Sequence, residues 1–376
     1  MLNPRCMQRA MINSLIFMSN GHISPCCWLT NKNIVSKHLG IYDEELKLKN
    51  VDTVEEILLS DQWDDFINKL VFHQELLPRE CHRECGFNDV DIFGNKYDKH
   101  ESPFIPILEH LPSKEKFFKN IFNRKVPETI INEEREGSII SVDLGYSCPI
   151  QCPMCIRILQ PELVKEAKRE YGNIRTAELE KLCKFFDDLV FCGTLSDPIY
   201  HPKFIELMKI VIEKYKRKLM IMTNGSGKKR DWWETVFQLS RPGEGVLVQD
   251  APVHWFFALD GLPHQSSKYR VNQNGEQVFE MMKMGSDMGC YIGWTWIVFG
   301  YNENSIEEGR ELAAKHNIVF RISNSERFQP EYKKAMDPTL YEMLKPSKKY
   351  YNKDRNKPKY DSPTFIYEYD DEDPRV

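Results

Sequence analysis

Short apolar runs alternate with amphipathic stretches through the middle of the chain. Six runs have the length and the β-branched or aromatic content of buried strands: 138–144, 188–193, 218–224, 253–261, 291–300 and 318–323. Most neighbouring runs are separated by a helix-capable segment, such as the one that starts at Thr176. Near-continuous apolar strands that alternate with helices predict an α/β fold, as a parallel sheet or a β/α barrel. Six such units over residues 135–330 favour a partial, TIM-like (β/α)6 barrel.

Residues 1–90 follow a different pattern, which predicts a small α+β region. Two short β-like runs within 14–27 flank Asn20-Gly21, the strongest two-residue hairpin signal. Residues 52–71 form one amphipathic helical pattern, with large apolar side chains on one face. We therefore expect a separate N-terminal module that precedes the barrel.

Two further segments lack a core-forming pattern. Residues 91–134 contain Pro103, Pro106 and Pro112, which would break any long element, so we interpret them as a connecting region. Residues 331–376 carry a lysine-rich run followed by an acidic run, which predicts a polar C-terminal tail.

Length and composition limit the class of protein. A chain of 376 residues with 41% hydrophobic content can build a sizeable core. A formal net charge of -5 gives no overall basic field, so nucleic acid is an unlikely partner from charge alone. The longest apolar runs are far below the roughly 20 residues that cross a bilayer, so we expect no membrane segment.

The eleven cysteines change the picture, because several fall in tight clusters. Such clusters resemble sets of metal ligands rather than a disulfide framework, which favours a reducing, cytoplasmic compartment. The stretch CPIQCPMC places Cys148, Cys152 and Cys155 directly after the first predicted barrel strand. In β/α barrels, the loops at the carboxyl ends of the strands carry the chemistry.

Three thiolates from one loop leave a metal site one ligand short. A structural zinc site almost always takes four protein ligands. A four-iron, four-sulfur cluster can instead be held at three irons, which leaves the fourth iron open to a small molecule. A zinc site completed by a distant His or Cys, and a chance cluster of cysteines, remain as alternatives.

The Cys148-x3-Cys152-x2-Cys155 spacing after the first strand of a partial barrel resembles the radical S-adenosylmethionine superfamily. The resemblance implies that the open iron chelates S-adenosylmethionine, which is reductively cleaved to generate a radical that abstracts a hydrogen atom. The substrate implied is a peptide or a small molecule. The electron would come from a donor such as flavodoxin or ferredoxin.

Five further residues stand at positions that the resemblance implies contact S-adenosylmethionine or line its pocket. Met154 precedes the third cysteine, where the family often has an aromatic residue whose backbone contacts adenine. Gly193 and Asp197 occupy the segment that in the family contacts the methionyl amino group, although the usual glutamate is missing. Asn224 and Asp260 close the third and fourth strands, where simple turns are an equal alternative.

The N-terminal cysteines resemble a twitch or SPASM auxiliary-cluster module. The resemblance implies that Cys6, Cys26, Cys81 and Cys85 close a second [4Fe-4S] cluster. Cys27 is adjacent to Cys26, and successive strand residues point to opposite faces, so we expect only one of them to be a ligand. Four thiolates would also satisfy structural zinc, which stays open as an alternative.

Two other functional classes remain beside the radical enzyme. One is a non-catalytic zinc-binding scaffold or binding protein, and the other is a nucleic-acid-modifying radical S-adenosylmethionine enzyme.

Among the remaining side chains, Trp294 and Trp296 are expected on one face of their strand as core residues. Tyr269 and Arg270 are expected in a solvated loop.

Overall fold

A computed structural model describes residues 15–25, 29, 39–73, 76–78, 81, 138–193, 195–324, 328, 336–347 and 349–350. The predicted connecting region lies outside these residues, and so does the predicted C-terminal tail apart from 336–347 and 349–350. The strands are β1 Leu15–Phe17, β2 Ile23–Ser24, β3 Ile139–Asp143, β4 Asp188–Cys192, β5 Lys218–Thr223, β6 Val253–Ala258, β7 Tyr291–Val298 and β8 Val319–Asn324. The α-helices are α1 Val54–Leu58, α2 Asp61–Phe72, α3 Ile156–Leu159, α4 Pro161–Glu170, α5 Thr176–Phe185, α6 Phe204–Lys209, α7 Arg230–Ser240, α8 Gly275–Asp287, α9 Ile306–Lys315 and α10 Pro338–Leu344.

The chain has an α/β fold that divides into two compact units. The first contains the described residues up to Asp143 together with Ile174–Val190, and the second contains Leu144–Asn173 and the described residues from Phe191 onward. The predicted domain boundaries, with modules at 1–90 and 135–330, stay predictions.

In the first unit, β1 pairs with two strands. It runs antiparallel to β2, so the predicted hairpin is present. The loop has three residues, Ser19–Asn20–Gly21, and not the expected two, because the Met18 N–H donates to the His22 carbonyl oxygen at 2.9 Å. Gly21 takes a left-handed φ of 91° in this loop. It also runs parallel to β3, with Phe17 opposite Val142. The strand β1, from the N-terminal region, therefore pairs with β3, the first of the predicted barrel strands.

Also in this unit, the single helix predicted for 52–71 is wrong, because the structure has two helices there. The helix α1 ends at Leu58, and Ser60 begins α2 by accepting a hydrogen bond on its side chain from the Trp63 N–H, at 3.3 Å. A serine N-cap of this kind satisfies a free N–H in the first turn and marks the start of a separate helix. Trp63 and Phe66 still lie buried on one face, as predicted.

The second unit is organised around the parallel strands β5, β6, β7 and β8, which pair in chain order. Helices α7, α8 and α9 connect these strands or pack between them. Trp233 of α7 lies 5.5 Å from Trp255 of β6, and Phe279 of α8 lies 5.4 Å from Trp294 of β7, between ring centroids. Trp294 and Trp296 are both fully buried core residues, as predicted. Closure of the strands into a partial (β/α)6 barrel stays a prediction.

Among the residues that the structure describes, no helix has the length and apolar character needed to cross a bilayer.

Candidate metal and cofactor site

The three clustered cysteines lie on one loop that leaves β3 and enters α3. Cys152 is buried, whereas Cys148 and Cys155 are partly exposed. The Cys155 N–H donates to the carbonyl oxygen of Cys152 at 2.9 Å, which forms a tight turn, and α3 starts at the next residue. The spacing x3 then x2 thus places three thiols within one short, turn-rich segment.

Arg157 braces this loop from the first turn of α3. Its Nη2 donates to the carbonyl oxygen of Cys148 at 3.1 Å, and its Nη1 donates to that of Ile150 at 3.3 Å. Hydrogen bonds from a guanidinium group to two carbonyls of one loop fix the path of the backbone between the first two cysteines. Sequence reasoning missed Arg157, although its position two residues after Cys155 was the available signal.

A second contact holds the loop at Gln151. The Gln151 N–H donates to the carbonyl oxygen of Val271 at 3.0 Å, in the segment that follows β6. The cysteine loop is therefore held by α3 and by the β6 loop, and its geometry does not depend on a bound group alone.

The turn after β4 brings Asp197 beside the cysteine loop. A Cβ atom at Gly193 would lie 1.9 Å from the carbonyl oxygen of Ser196, so only glycine fits at the start of this turn. Asp197 follows, and its N–H donates to the carbonyl oxygen of Ser147 at 2.8 Å, one residue before Cys148. Gly193 thus acts on the site through the turn that it permits.

The Asp197 carboxylate accepts four hydrogen bonds from the protein. Oδ1 accepts from the Thr223 hydroxyl at 2.8 Å and from the Ile199 N–H at 3.3 Å. Oδ2 accepts from the N–H of Asn224 at 2.6 Å and from its Nδ2 at 2.5 Å. Burial raises the pKa of Asp197 to about 6, against the opposing effect of these bonds. Because four donors already fill its oxygens, a contact with the methionyl amino group would displace one of them, and that role stays a prediction.

Asn224 connects this carboxylate to the cysteine loop. Its Nδ2 donates to Cys148 Sγ at 3.5 Å, and its main-chain oxygen accepts from Gln273 Nε2 at 2.6 Å. Burial, followed by the charge of Asp197, raises the pKa of the Cys148 thiol to about 12. The protein alone therefore favours the thiol at Cys148, and the positive charge of a bound metal would favour the thiolate. Sequence reasoning found Asn224 but had no signal for Gln273.

Met154 and Asp260, the other two predicted contacts, have buried side chains. Met154 lies in an apolar cluster that includes Tyr269 and Phe299. Asp260 accepts from the Ile297 N–H at 2.9 Å and pairs with Arg270 at 2.7 Å. Their proposed contacts with S-adenosylmethionine stay predictions.

The expectation that Tyr269 and Arg270 lie in a solvated loop is wrong. Both are buried, Tyr269 against Phe299 with ring centroids 4.3 Å apart and Arg270 against Asp260. A charge partner ten residues earlier in the chain explains why this polar segment is not solvated.

Of the predicted N-terminal ligands, Cys81 is buried, while Cys6, Cys26 and Cys85 lie outside the described residues. The auxiliary cluster therefore stays a prediction.

The donor set at the cysteine loop fits an iron-sulfur cluster. Its protein ligands would be three thiolates, which are soft donors, and an amide N–H already donates to one of the sulfurs. In the described part of the chain, no group of three His, Cys, Asp or Glu side chains is arranged to hold a single metal ion, and this includes the three cysteines.

Comparison with known proteins gives partial structural matches only. No protein-family model matches the chain, and no curated protein matches it. Streptococcus suis SuiB bound to S-adenosylmethionine is 14% identical, with 69% of this chain and 52% of SuiB covered at a TM-score of 0.36. SuiB bound to the precursor peptide SuiA gives 14% identity, coverage of 72% and 55%, and the same TM-score of 0.36. Polyhistidine-tagged anSMEcpe with bound AdoMet is 14% identical, with 50% of each chain covered at 0.36. The chain thus spans about half the length of these structures, and the scores are too low to establish a shared fold.

Proposed function

We propose that this protein is a radical S-adenosylmethionine enzyme whose cluster is held by Cys148, Cys152 and Cys155. The observation that carries the proposal is a loop of three cysteines that Arg157 braces and to which Asn224 donates an N–H···S hydrogen bond. When bound, such a cluster supplies an electron that cleaves the sulfonium of S-adenosylmethionine to methionine and a deoxyadenosyl radical, which takes a hydrogen atom from the substrate.

The chain's own residues would bind and orient these groups. The three thiolates would leave one iron of the cluster for the amino and carboxylate groups of S-adenosylmethionine. Met154, Gly193, Asp197, Asn224 and Asp260 are the proposed contacts or pocket residues. The apolar side chains around Met154, which include Tyr269 and Phe299, would help to exclude water from the iron-sulfur cluster.

The remaining parts of the proposal depend on the sequence. Cys6, Cys26, Cys81 and Cys85 would hold an auxiliary [4Fe-4S] cluster in a twitch or SPASM-like module. Flavodoxin or ferredoxin would supply the electron, and the substrate would be a peptide or a small molecule. Clusters held by cysteine ligands would suit the reducing, cytoplasmic compartment that the clustered cysteines predict.

Metal content and cleavage of S-adenosylmethionine test the proposal together. We expect the anaerobically reconstituted protein to contain about eight irons and about eight sulfides per chain, four of each for every cluster. With S-adenosylmethionine and dithionite it should release 5'-deoxyadenosine, measured by liquid chromatography and mass spectrometry.

The variants Cys148→Ala, Cys152→Ala and Cys155→Ala should each abolish this release. Cys290→Ala is the matched control, since Cys290 is buried just before β7 and its Sγ donates to the Phe237 carbonyl oxygen at 3.2 Å, away from the cysteine loop. Zinc without sulfide would favour the zinc-binding scaffold, and unchanged release in all three variants would refute the assigned ligands.

A further inference from the structure

We infer that Asn224 is a positioning residue that raises the reduction potential of the proposed cluster through its amide N–H···S bond to Cys148. The inference rests on the proposed function, because it requires a cluster at the cysteine loop. Asn224 itself would not bind iron. It would act through the sulfur of Cys148, which is a proposed ligand.

The surrounding contacts determine which way the Asn224 amide points. Its Oδ1 accepts from the Ser226 N–H at 2.9 Å, so the oxygen is turned into the β5 loop. The opposite side of the amide is then Nδ2, which reaches Asp197 Oδ2 at 2.5 Å and Cys148 Sγ at 3.5 Å. The two N–H groups of Nδ2 match these two acceptors, and a flipped amide would place its oxygen against a carboxylate.

The main chain at Asn224 is also held on both sides. Its N–H donates to Asp197 Oδ2 at 2.6 Å, and its carbonyl oxygen accepts from Gln273 Nε2 at 2.6 Å. Gln273 is buried, and the same Nε2 also donates to the Ala258 carbonyl at 3.0 Å. Asn224 therefore cannot turn away from the cysteine without breaking several buried hydrogen bonds.

A hydrogen bond to a ligating sulfur changes the energy of the two oxidation states unequally. The reduced cluster carries one more negative charge, so an N–H dipole aimed at the sulfur stabilises it more than the oxidised cluster. Loss of the bond should shift the reduction potential to a more negative value. A side chain that only supported the fold would alter stability but not this potential.

The test compares Asn224→Ser with the matched control Ser226→Ala in the reconstituted holoprotein. Ser226 lies in the same turn and is buried, and its Oγ has no hydrogen-bond partner among the described residues, so its loss should not reach the cluster. We expect Asn224→Ser to need a stronger reductant for half-reduction, in a redox titration followed by electron paramagnetic resonance. Ser226→Ala should titrate as the wild type does.

A second measurement needs no substitution at Asn224. Wild-type protein labelled with ¹⁵N at the asparagine side-chain amide should show ¹⁵N modulation in the electron spin echo of the reduced cluster. Equal reduction potentials in wild type and Asn224→Ser would overturn the inference. If Asn224→Ser does not retain a cluster, the spin-echo measurement decides, and absence of ¹⁵N modulation in the wild type would overturn the inference. Failure of the wild type itself to assemble a cluster would instead refute the proposed function.

Discussion

Arg270 and Asp260 form a buried ion pair in which Nε lies 2.7 Å from Oδ2, with side-chain exposures of 11% and 0%. The pair closes the segment that follows β6, and this segment also accepts the hydrogen bond from Gln151 in the cysteine loop. Removal of one partner from a buried pair leaves an uncompensated charge, at a typical cost of about 3–5 kcal/mol. We expect Asp260→Asn to lower the free energy of unfolding by this order, measured by chemical denaturation.

Asparagine removes the charge of Asp260 but keeps an oxygen that can accept from the Ile297 N–H, so the variant tests the charge alone. The double variant Asp260→Asn with Arg270→Met removes the orphaned cation, so it should lose less stability than the sum of the two single variants. Additive losses would show that the pair is not energetically coupled.

The positions of the strands along the chain were predictable from the sequence, because each buried strand appears as a local apolar run. The run 218–224 became β5 at Lys218–Thr223, and the run 318–323 became β8 at Val319–Asn324. The glycine at position 21 likewise marked the hairpin through a property of its own backbone. These features can be predicted from the sequence because they depend on residues that are adjacent in the chain.

Contacts between distant residues could not be predicted in this way. Ser305 and Glu308 have the spacing of a capping box, yet Ser305 makes no side-chain cap, and its hydroxyl accepts from Gln265 Nε2 at 3.2 Å instead. The bond from Asn224 to Cys148 joins residues 76 positions apart. Sequence spacing therefore proposed Cys148 and Asn224 as site residues, whereas the hydrogen bond between them required the structure.

Arg157 should matter for retention of the cluster more than for folding. Its hydrogen bonds to the carbonyls of Cys148 and Ile150 fix the loop that carries the first two ligands. We expect Arg157→Ala to lose iron to a chelator at least several-fold faster than the wild type, followed by absorbance at the cluster band. Arg157→Lys keeps the charge but loses the paired geometry, so it should give an intermediate rate.

The matched control for this experiment is Arg230→Ala, on the exposed surface of α7, where the guanidinium pairs with Glu234 at 2.9 Å. Equal rates of iron loss in Arg157→Ala and Arg230→Ala would contradict a role for Arg157 in the cysteine loop.

The two proposed clusters should be separable by iron counting. If Cys81 and Cys85 are ligands of an auxiliary cluster, the Cys81→Ala, Cys85→Ala double variant should hold about four irons per chain instead of about eight. It should still cleave S-adenosylmethionine, because the cysteine loop is untouched. The triple variant at Cys148, Cys152 and Cys155 should also hold about four irons, but it should release no 5'-deoxyadenosine.

An N-terminal zinc site would give a different result in the same assay. The wild type would then contain about four irons and one zinc, and the double variant would lose the zinc while its iron stayed constant.

His22 should make the stability of the protein depend on mild acid. It is buried beside Tyr42, and its Nε2 lies 3.1 Å from the carbonyl oxygen of Asp43. Burial lowers the pKa of His22 to about 4, from an ordinary value of 6.5, and the charge of Lys47 adds to this effect. The folded protein therefore resists protonation of a side chain that protonates readily once the chain unfolds.

The sign of the effect follows from this difference. The neutral form is compatible with the fold, so the contribution of His22 is complete above pH 6.5 and is lost progressively as the pH falls towards 4, up to about 3 kcal/mol. We expect His22→Gln, which cannot titrate, to remove this part of the pH dependence of the free energy of unfolding, measured by denaturation at pH 7.5 and pH 5. His73→Gln, at an exposed histidine, is the matched control and should keep it. If the loss of stability between these pH values is the same in wild type and His22→Gln, the buried imidazole is not its source.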